Sequence, residues 1–138
     1  MTNTGNPIEH QAVPTILFVD DDWKMLEAIR QRFALFGYDV LTANSGKDSL
    51  ELIKKIHVDV AVLDISMPEM DGYRLIKALR ELVPSLPVVF LTGKADRNTA
   101  LKTFQLGSNC LVEKPCTPRD LDARIKRIIE GARQKRAA

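Results

Sequence analysis

The chain has 138 residues, of which 45% are apolar, 28% charged and 6% aromatic, the profile of one α/β domain of ordinary size. At this length a core forms without disulfides or structural metal, and the longest apolar runs, such as Ile16 to Val19 and Val60 to Leu63, fall far short of the ~20 residues of a membrane span. The net charge of +2 is uneven: residues 118–138 carry 7 basic and 3 acidic groups, whereas residues 1–117 carry 13 and 15.

In chain order, residues 1–14 are rich in Thr, Asn, Gly and Pro, lack apolar periodicity and a secretory signal, and are expected to form a flexible N-terminal tail. A first strand is expected over Thr15 to Val19, ending in Asp20, Asp21 and Asp22, with Asp22 a candidate helix N-cap. A helix with apolar Met25, Leu26, Ile29 and Phe33 follows and closes at Gly37. Strand two is expected over Tyr38 to Thr42. Ser45 caps a second helix reaching about Ile56, with Asp48 completing an imperfect capping box. Strand three, Val58 to Leu63, stops at Asp64. Helix three is expected over Gly72 to Leu82, strand four over Val88 to Leu91, and helix four over Ala95 to Leu106. Strand five, Cys110 to Glu113, stops at Lys114 and Pro115. The last helix runs from Pro118 to about Arg133 with Leu121, Ile125, Ile128 and Ala132 as its inward stripe and Arg124, Arg127 and Lys135 outside. Strand and helix alternate throughout, the pattern of βαβ units and a mostly parallel sheet.

The domain is therefore expected to span 15–133, with 134–138 a C-terminal tail or the start of a linker. The cysteines, Cys110 and Cys116, form no framework spacing, so a reducing cytoplasm is the default. The basic last helix lacks interleaved aromatics and is read as a solvated face, with no direct nucleic-acid binding expected.

The carboxylates Asp20, Asp21 and Asp64 all fall at strand C-terminal ends, where an open parallel sheet places its ligand crevice. Thr92 and Lys114 end strands four and five and face the same crevice. Three converging carboxylates repel unless positive charge is supplied, and the sequence supplies one lysine, so a divalent cation is expected. All-oxygen ligation suits Mg2+, which often shares its site with phosphate. An aspartate in such a site can itself accept a phosphoryl group as an acyl phosphate. Singly each residue has a blander reading, as a cap, a turn or a loop boundary; their agreement on one crevice carries the case.

These residues resemble the receiver domain of two-component response regulators: Ile-Leu-Phe-Val-Asp-Asp-Asp at 16–22, Asp-Ile-Ser-Met-Pro-Glu-Met-Asp-Gly at 64–72, Leu-Thr-Gly at 91–93 and Glu-Lys-Pro at 113–115. The resemblance covers about Thr15 to Arg133. It implies a flavodoxin-like (βα)5 three-layer sandwich whose five-stranded parallel sheet has the order 2-1-3-4-5, an order that receiver proteins themselves exemplify. It further implies that Asp64 is the phosphoacceptor, that Asp20, Asp21, Asp64 and the Ser66 backbone carbonyl hold magnesium, and that the Thr92 hydroxyl turns toward the phosphoryl group with Lys114 as its ion-pair partner. Gly93 is the small residue expected beside that threonine, and a cis peptide is expected before Pro115. One departure is Leu111, at a strand-five position where relatives carry a switching aromatic. Trp23 is expected near the metal.

The function implied is a phosphorylation-controlled switch of a phosphorelay. A sensor histidine kinase or phosphotransfer protein would supply phosphohistidine, and a downstream effector protein or output domain would read the face of helix four, strand five and helix five, with Lys102, Leu111 and Arg124 as contributors. A homodimer through the same face is a further expectation. No P-loop is present, so self-phosphorylation from ATP is not expected, nor is turnover of an external substrate. Two rivals are a receiver-like interaction module that never uses phosphate and a haloacid-dehalogenase-type phosphohydrolase. The second expects Thr or Val where the chain has Lys24, and further acids where it has Thr92, Gly93 and Lys94.

Overall fold

A computed structural model describes residues 13–65, 72–93, 97–105 and 110–137. Five strands alternate with five helices: β1 Thr15–Val19, α1 Trp23–Leu35, β2 Asp39–Ala43, α2 Gly46–Lys55, β3 Val60–Asp64, α3 Gly72–Leu82, β4 Val88–Thr92, α4 Arg97–Gln105, β5 Cys110–Glu113 and α5 Pro118–Ala137. The strands form one sheet in the order β2-β1-β3-β4-β5, every neighbouring pair parallel. That is the expected flavodoxin-like arrangement.

Alternation along each strand sorts the core into two layers. Leu17, Val19, Ala61, Leu63, Val88 and Phe90 face one side, where Ile53 of α2 and Leu75, Ile76 and Leu79 of α3 cover them. Ile16, Phe18, Val60, Val62 and Val89 face the other, under Leu26 and Phe33 of α1 and Leu121, Ile125 and Ile129 of α5. Phe33 and Phe90 are wholly buried, one on each side; full burial of such a side chain is worth about 1.5–3 kcal/mol.

Local chemistry sets the helix ends. The Asp22 carboxylate accepts from the backbone N–H of Lys24 and Met25 at 3.1 and 3.2 Å, the expected N-cap of α1. Gly37, at φ 99°, adopts the left-handed conformation that ends the same helix, and its N–H reaches Ala34 O at 3.1 Å. Ser45 Oγ accepts from Asp48 N at 3.1 Å at the start of α2.

Several boundaries differ from expectation. Strand two begins at Asp39, because Tyr38 is used otherwise: buried ahead of the strand, its hydroxyl donates to Asp122 on α5 at 2.6 Å. Strand three begins at Val60, because the preceding Asp59 turns its carboxylate to the N–H of Thr15 at 2.8 Å. On α5 the buried residue of the third turn is Ile129, while Ile128 is half-buried, and the helix continues to Ala137. Met25, expected on the inward face of α1, is 37% exposed. Residues 1–12, which hold most of the expected N-terminal tail, lie outside the described residues.

Candidate functional site

The sheet's topology places the site. β1 and β3 are neighbours with Val19 opposite Leu63, so the acids that follow the two strands arrive side by side. One carboxylate oxygen from each of Asp20, Asp21 and Asp64 can be chosen such that all lie within 4.8 Å of one another. Asp20 and Asp64 are buried and Asp21 is exposed, so the cluster opens to solvent on one side.

Each acid is positioned by backbone. The N–H of Asp20 bonds Ala43 O of β2 at 3.2 Å, and its carboxylate accepts from Asp22 N at 3.0 Å. Behind Asp64, Gly72 opens α3 and donates its N–H to Ile65 O at 2.9 Å. A Cβ at Gly72 would lie 2.8 Å from Ile65 Cα and 3.2 Å from both Asp64 O and a Phe90 ring carbon. Only glycine lets α3 approach the end of β3 this closely. The sequence marks Gly72 as the start of a helix after an Asp-Gly turn, but nothing in a local Asp-Gly pair shows that this start is pressed against a distant strand.

From the other side Lys114 Nζ reaches Asp64 Oδ2 at 2.8 Å. The Lys114 N–H donates to Thr92 O at 2.7 Å, which ties the lysine to the end of β4. Thr92 is buried there, opposite Glu113 in the register. Among the described residues, a Cβ at Gly93 would meet no heavy atom within 4 Å. The Lys114–Pro115 peptide is cis, as the resemblance implies. Four of the expected site positions, Asp20, Asp21, Asp64 and Lys114, are thus brought together, with Thr92 linked to them through Lys114. Ser66 lies outside the described residues.

The electrostatics are unbalanced. Burial pushes the Asp20 carboxyl up to about 6, against the lowering effect of the Asp22 N–H; the charge of Asp64 and contact with Asp21 add to the rise, and Lys114 opposes it. Among the described residues, Lys114 is the lysine that reaches this group of three carboxylates. Two buried acids, an exposed third and all-oxygen donors fit a hard divalent cation such as Mg2+.

Leu111 is half-buried and packs against the core layer that contains Phe90, its register partner. Trp23 opens α1 directly after the acids, is 64% exposed, and has Lys24 Nζ 5.8 Å from its ring centre. Among the described residues no helix is long and apolar enough to cross a membrane.

The sequence matches the response regulator receiver domain over residues 16–126. The chain belongs to this family. It is 33% identical over 114 residues to the response regulator SaeR of Staphylococcus aureus, covering 83% of this chain and 50% of that protein. To the probable transcriptional regulator ycf27 of Porphyridium aerugineum it is 32% identical over 114 residues, covering 83% and 47%. Among solved structures it is similar to a CheY-like response regulator receiver domain protein from Methanospirillum hungatei JF-1, with a TM-score of 0.85 at 28% identity over 90% of this chain and 99% of that one. It is likewise similar to the receiver domain of Francisella response regulator 1452, at 0.79 and 32% over 85% and 97%. The receiver chain spans about half the length of the curated relatives it matches. Receiver domains of two-component systems are signalling proteins that do not turn over an external substrate, which sets aside the phosphohydrolase reading. Receiver domains generally bind Mg2+ at an acidic aspartate cluster, and the group formed by Asp20, Asp21 and Asp64 corresponds to one.

Proposed function

We propose that the domain is a phosphorylation-dependent switch in which Asp64 accepts a phosphoryl group from the phosphohistidine of a sensor kinase or phosphotransfer protein. The observation that carries this reading is the Lys114 Nζ on Asp64 Oδ2 at 2.8 Å within a cluster of three carboxylates at the strand ends. Asp64 attacks phosphorus with one carboxylate oxygen: the new O–P bond forms as the N–P bond breaks, its electron pair returns to the imidazole, and solvent supplies the proton. Asp20, Asp21, Asp64 and the Ser66 carbonyl would hold magnesium, which when bound would supply positive charge to offset that of the transferring group.

The chain's own groups do the rest. Asp20, fixed by Asp22 N–H and Ala43 O, keeps a carboxylate beside Asp64. Lys114 holds one Asp64 oxygen and, after transfer, pairs with the phosphoryl group. Thr92 lies one backbone hydrogen bond from Lys114, so its hydroxyl turns toward the added charge of about −1.5 to −2. Movement at Thr92 and Lys114 biases the neighbouring face of α4, β5 and α5 between two arrangements that an effector or output domain distinguishes. Lys102, Leu111 and Arg124 contribute to that face. Leu111 shifts rotamer there without the ring contact of an aromatic residue.

Incubation with a small acyl-phosphate donor and Mg2+ should add one phosphoryl group, measured by intact mass. Asp64→Asn should abolish the addition, and chelation should abolish it in the wild type. Labelling that persists in either case overturns the mechanism; a wild type that takes no label even from a cognate kinase is instead an interaction module that works without phosphate.

A further inference from the structure

Among its described side chains α4 fully buries one, Thr103, whose hydroxyl donates to Ala100 O at 3.0 Å within the helix itself. Its large apolar side chains Leu101 and Phe104 are 53% and 65% exposed. A helix of nine residues does not persist alone in water, so tertiary ties decide its position. Lys102 supplies one such tie: its Nζ stands 4.1 Å from the centre of the Tyr73 ring on α3. At that distance the ring face attracts the cation, and a surface pair of this kind shifts an equilibrium about two- to fivefold.

Tyr73 is connected to the acidic crevice by two routes. Through the backbone it follows Gly72, whose N–H donates to Ile65 O at 2.9 Å and whose position leaves no room for a Cβ beside Ile65 and Asp64. Through its ring it packs edge-to-face on Phe90, with centres 6.1 Å apart and planes at 68°. Phe90 is wholly buried in β4, two residues before Thr92, and close-packed surroundings pass on a displacement of that strand. Leu111, the register partner of Phe90, packs against the same core layer as Tyr73. The half-buried aromatic ring next to Phe90 is therefore supplied by α3 and not by β5.

We propose that the Tyr73–Lys102 pair is a latch. It holds α4 against α3 while Asp64 is unmodified, and it opens when Thr92 and the end of β3 shift toward a phosphoryl group. Opening lets α4, with its cation and its exposed Leu101 and Phe104, take the arrangement that a partner distinguishes. The opening rests on Asp64 as the phosphoacceptor, whereas the closed latch does not.

The test reads the Lys102 side chain by NMR of the full chain. A methylene group held over a ring face is moved upfield by the ring current. The Lys102 ε-protons of the unmodified wild type should therefore lie upfield of those of the other lysines, a displacement lost in Tyr73→Leu and kept in Tyr73→Phe. Amides of α4 should exchange about two- to fivefold faster in Lys102→Gln than in the wild type, and Lys102→Arg should restore protection. These arms need no phosphoryl group. A small acyl-phosphate donor with Mg2+ is then added to the wild type, and intact mass reports the addition. Labelling should return the Lys102 signals to the position of the other lysines and raise α4 exchange to the level of unlabelled Lys102→Gln. Undisplaced Lys102 protons in the unmodified protein, α4 protection unaltered in Lys102→Gln, or a labelled wild type whose Lys102 stays on the ring would each overturn the latch and leave the reading of Asp64 intact. A wild type that takes no label from the donor or from a kinase overturns the reading of Asp64 and the opening with it.

Discussion

The two ends of the sheet treat buried polar groups in opposite ways. At the amino end they are matched: Asp59 accepts from Thr15 N–H at 2.8 Å and faces His57 at 3.2 Å, and Tyr38 donates to Asp122, which also meets Lys126. At the carboxyl end Asp20 and Asp64 are buried beside Asp21, with Lys114 as the lysine that reaches them among the described residues. Both ends belong to the same sheet, so the difference is not a property of the fold. Matched groups hold the chain together; crowded like charges weaken it and leave an incomplete shell of oxygen donors that a cation completes.

The largest test of this contrast is pH. Without divalent cations Asp20 titrates near 6 in the folded protein, against 3.8 as its ordinary value. Between those values the folded state holds a proton that the unfolded chain has released, so stability falls as pH rises through that window, by up to about 3 kcal/mol. Above it the loss is complete. Urea unfolding in chelator at several pH values should show this slope and its disappearance in Asp20→Asn, which should be the more stable protein at a pH of about 7.5, well above the window. Mg2+ should raise the midpoint of the wild type more than that of the variant. A flat wild-type profile would erase the distinction between the two ends.

Tyr38→Phe probes the matched end. Loss of the donor to Asp122 should cost about 1–2 kcal/mol, measured by the same unfolding, with the response to Mg2+ unchanged. Gly131→Ala in α5 should stabilise the domain by about 0.5–1 kcal/mol, since the helix gains propensity and the added methyl meets no heavy atom of the described residues within 4 Å. Trp23 provides the smallest signal: its emission should change on Mg2+ addition and stay constant in Asp20→Asn, and a flat wild-type titration would place its ring beyond the influence of the site.

How much is legible in the sequence depends on the range of the interaction involved. The strands announce themselves as short apolar runs, and the acids at their ends fall into one crevice once β1 and β3 are adjacent. The Asp22 and Ser45 caps are contacts over two or three residues and are equally readable. Tyr38 with Asp122 is not: 84 residues separate them, and an apolar ring before a strand reads as the strand's first residue. The choice of Ile129 over Ile128 is hidden for a different reason. Adjacent identical residues leave helical periodicity undecided, and only the docking angle of α5 selects between them. The Gly72 contact requires knowing where β3 ends in space.

The central place of β1 also has a consequence for how the protein is made. β1 pairs with β2 on one side and with β3 on the other, and Ile16 waits for Val60. At synthesis rates of about 5–20 residues per second, that partner emerges seconds after β1 itself. During that interval the most apolar strand edge of the nascent chain has no permanent neighbour, and the residues that will carry Asp20 to the crevice are held by β2 alone. Chaperone engagement during translation should therefore peak before β3 is complete and decline once the second edge of β1 is closed.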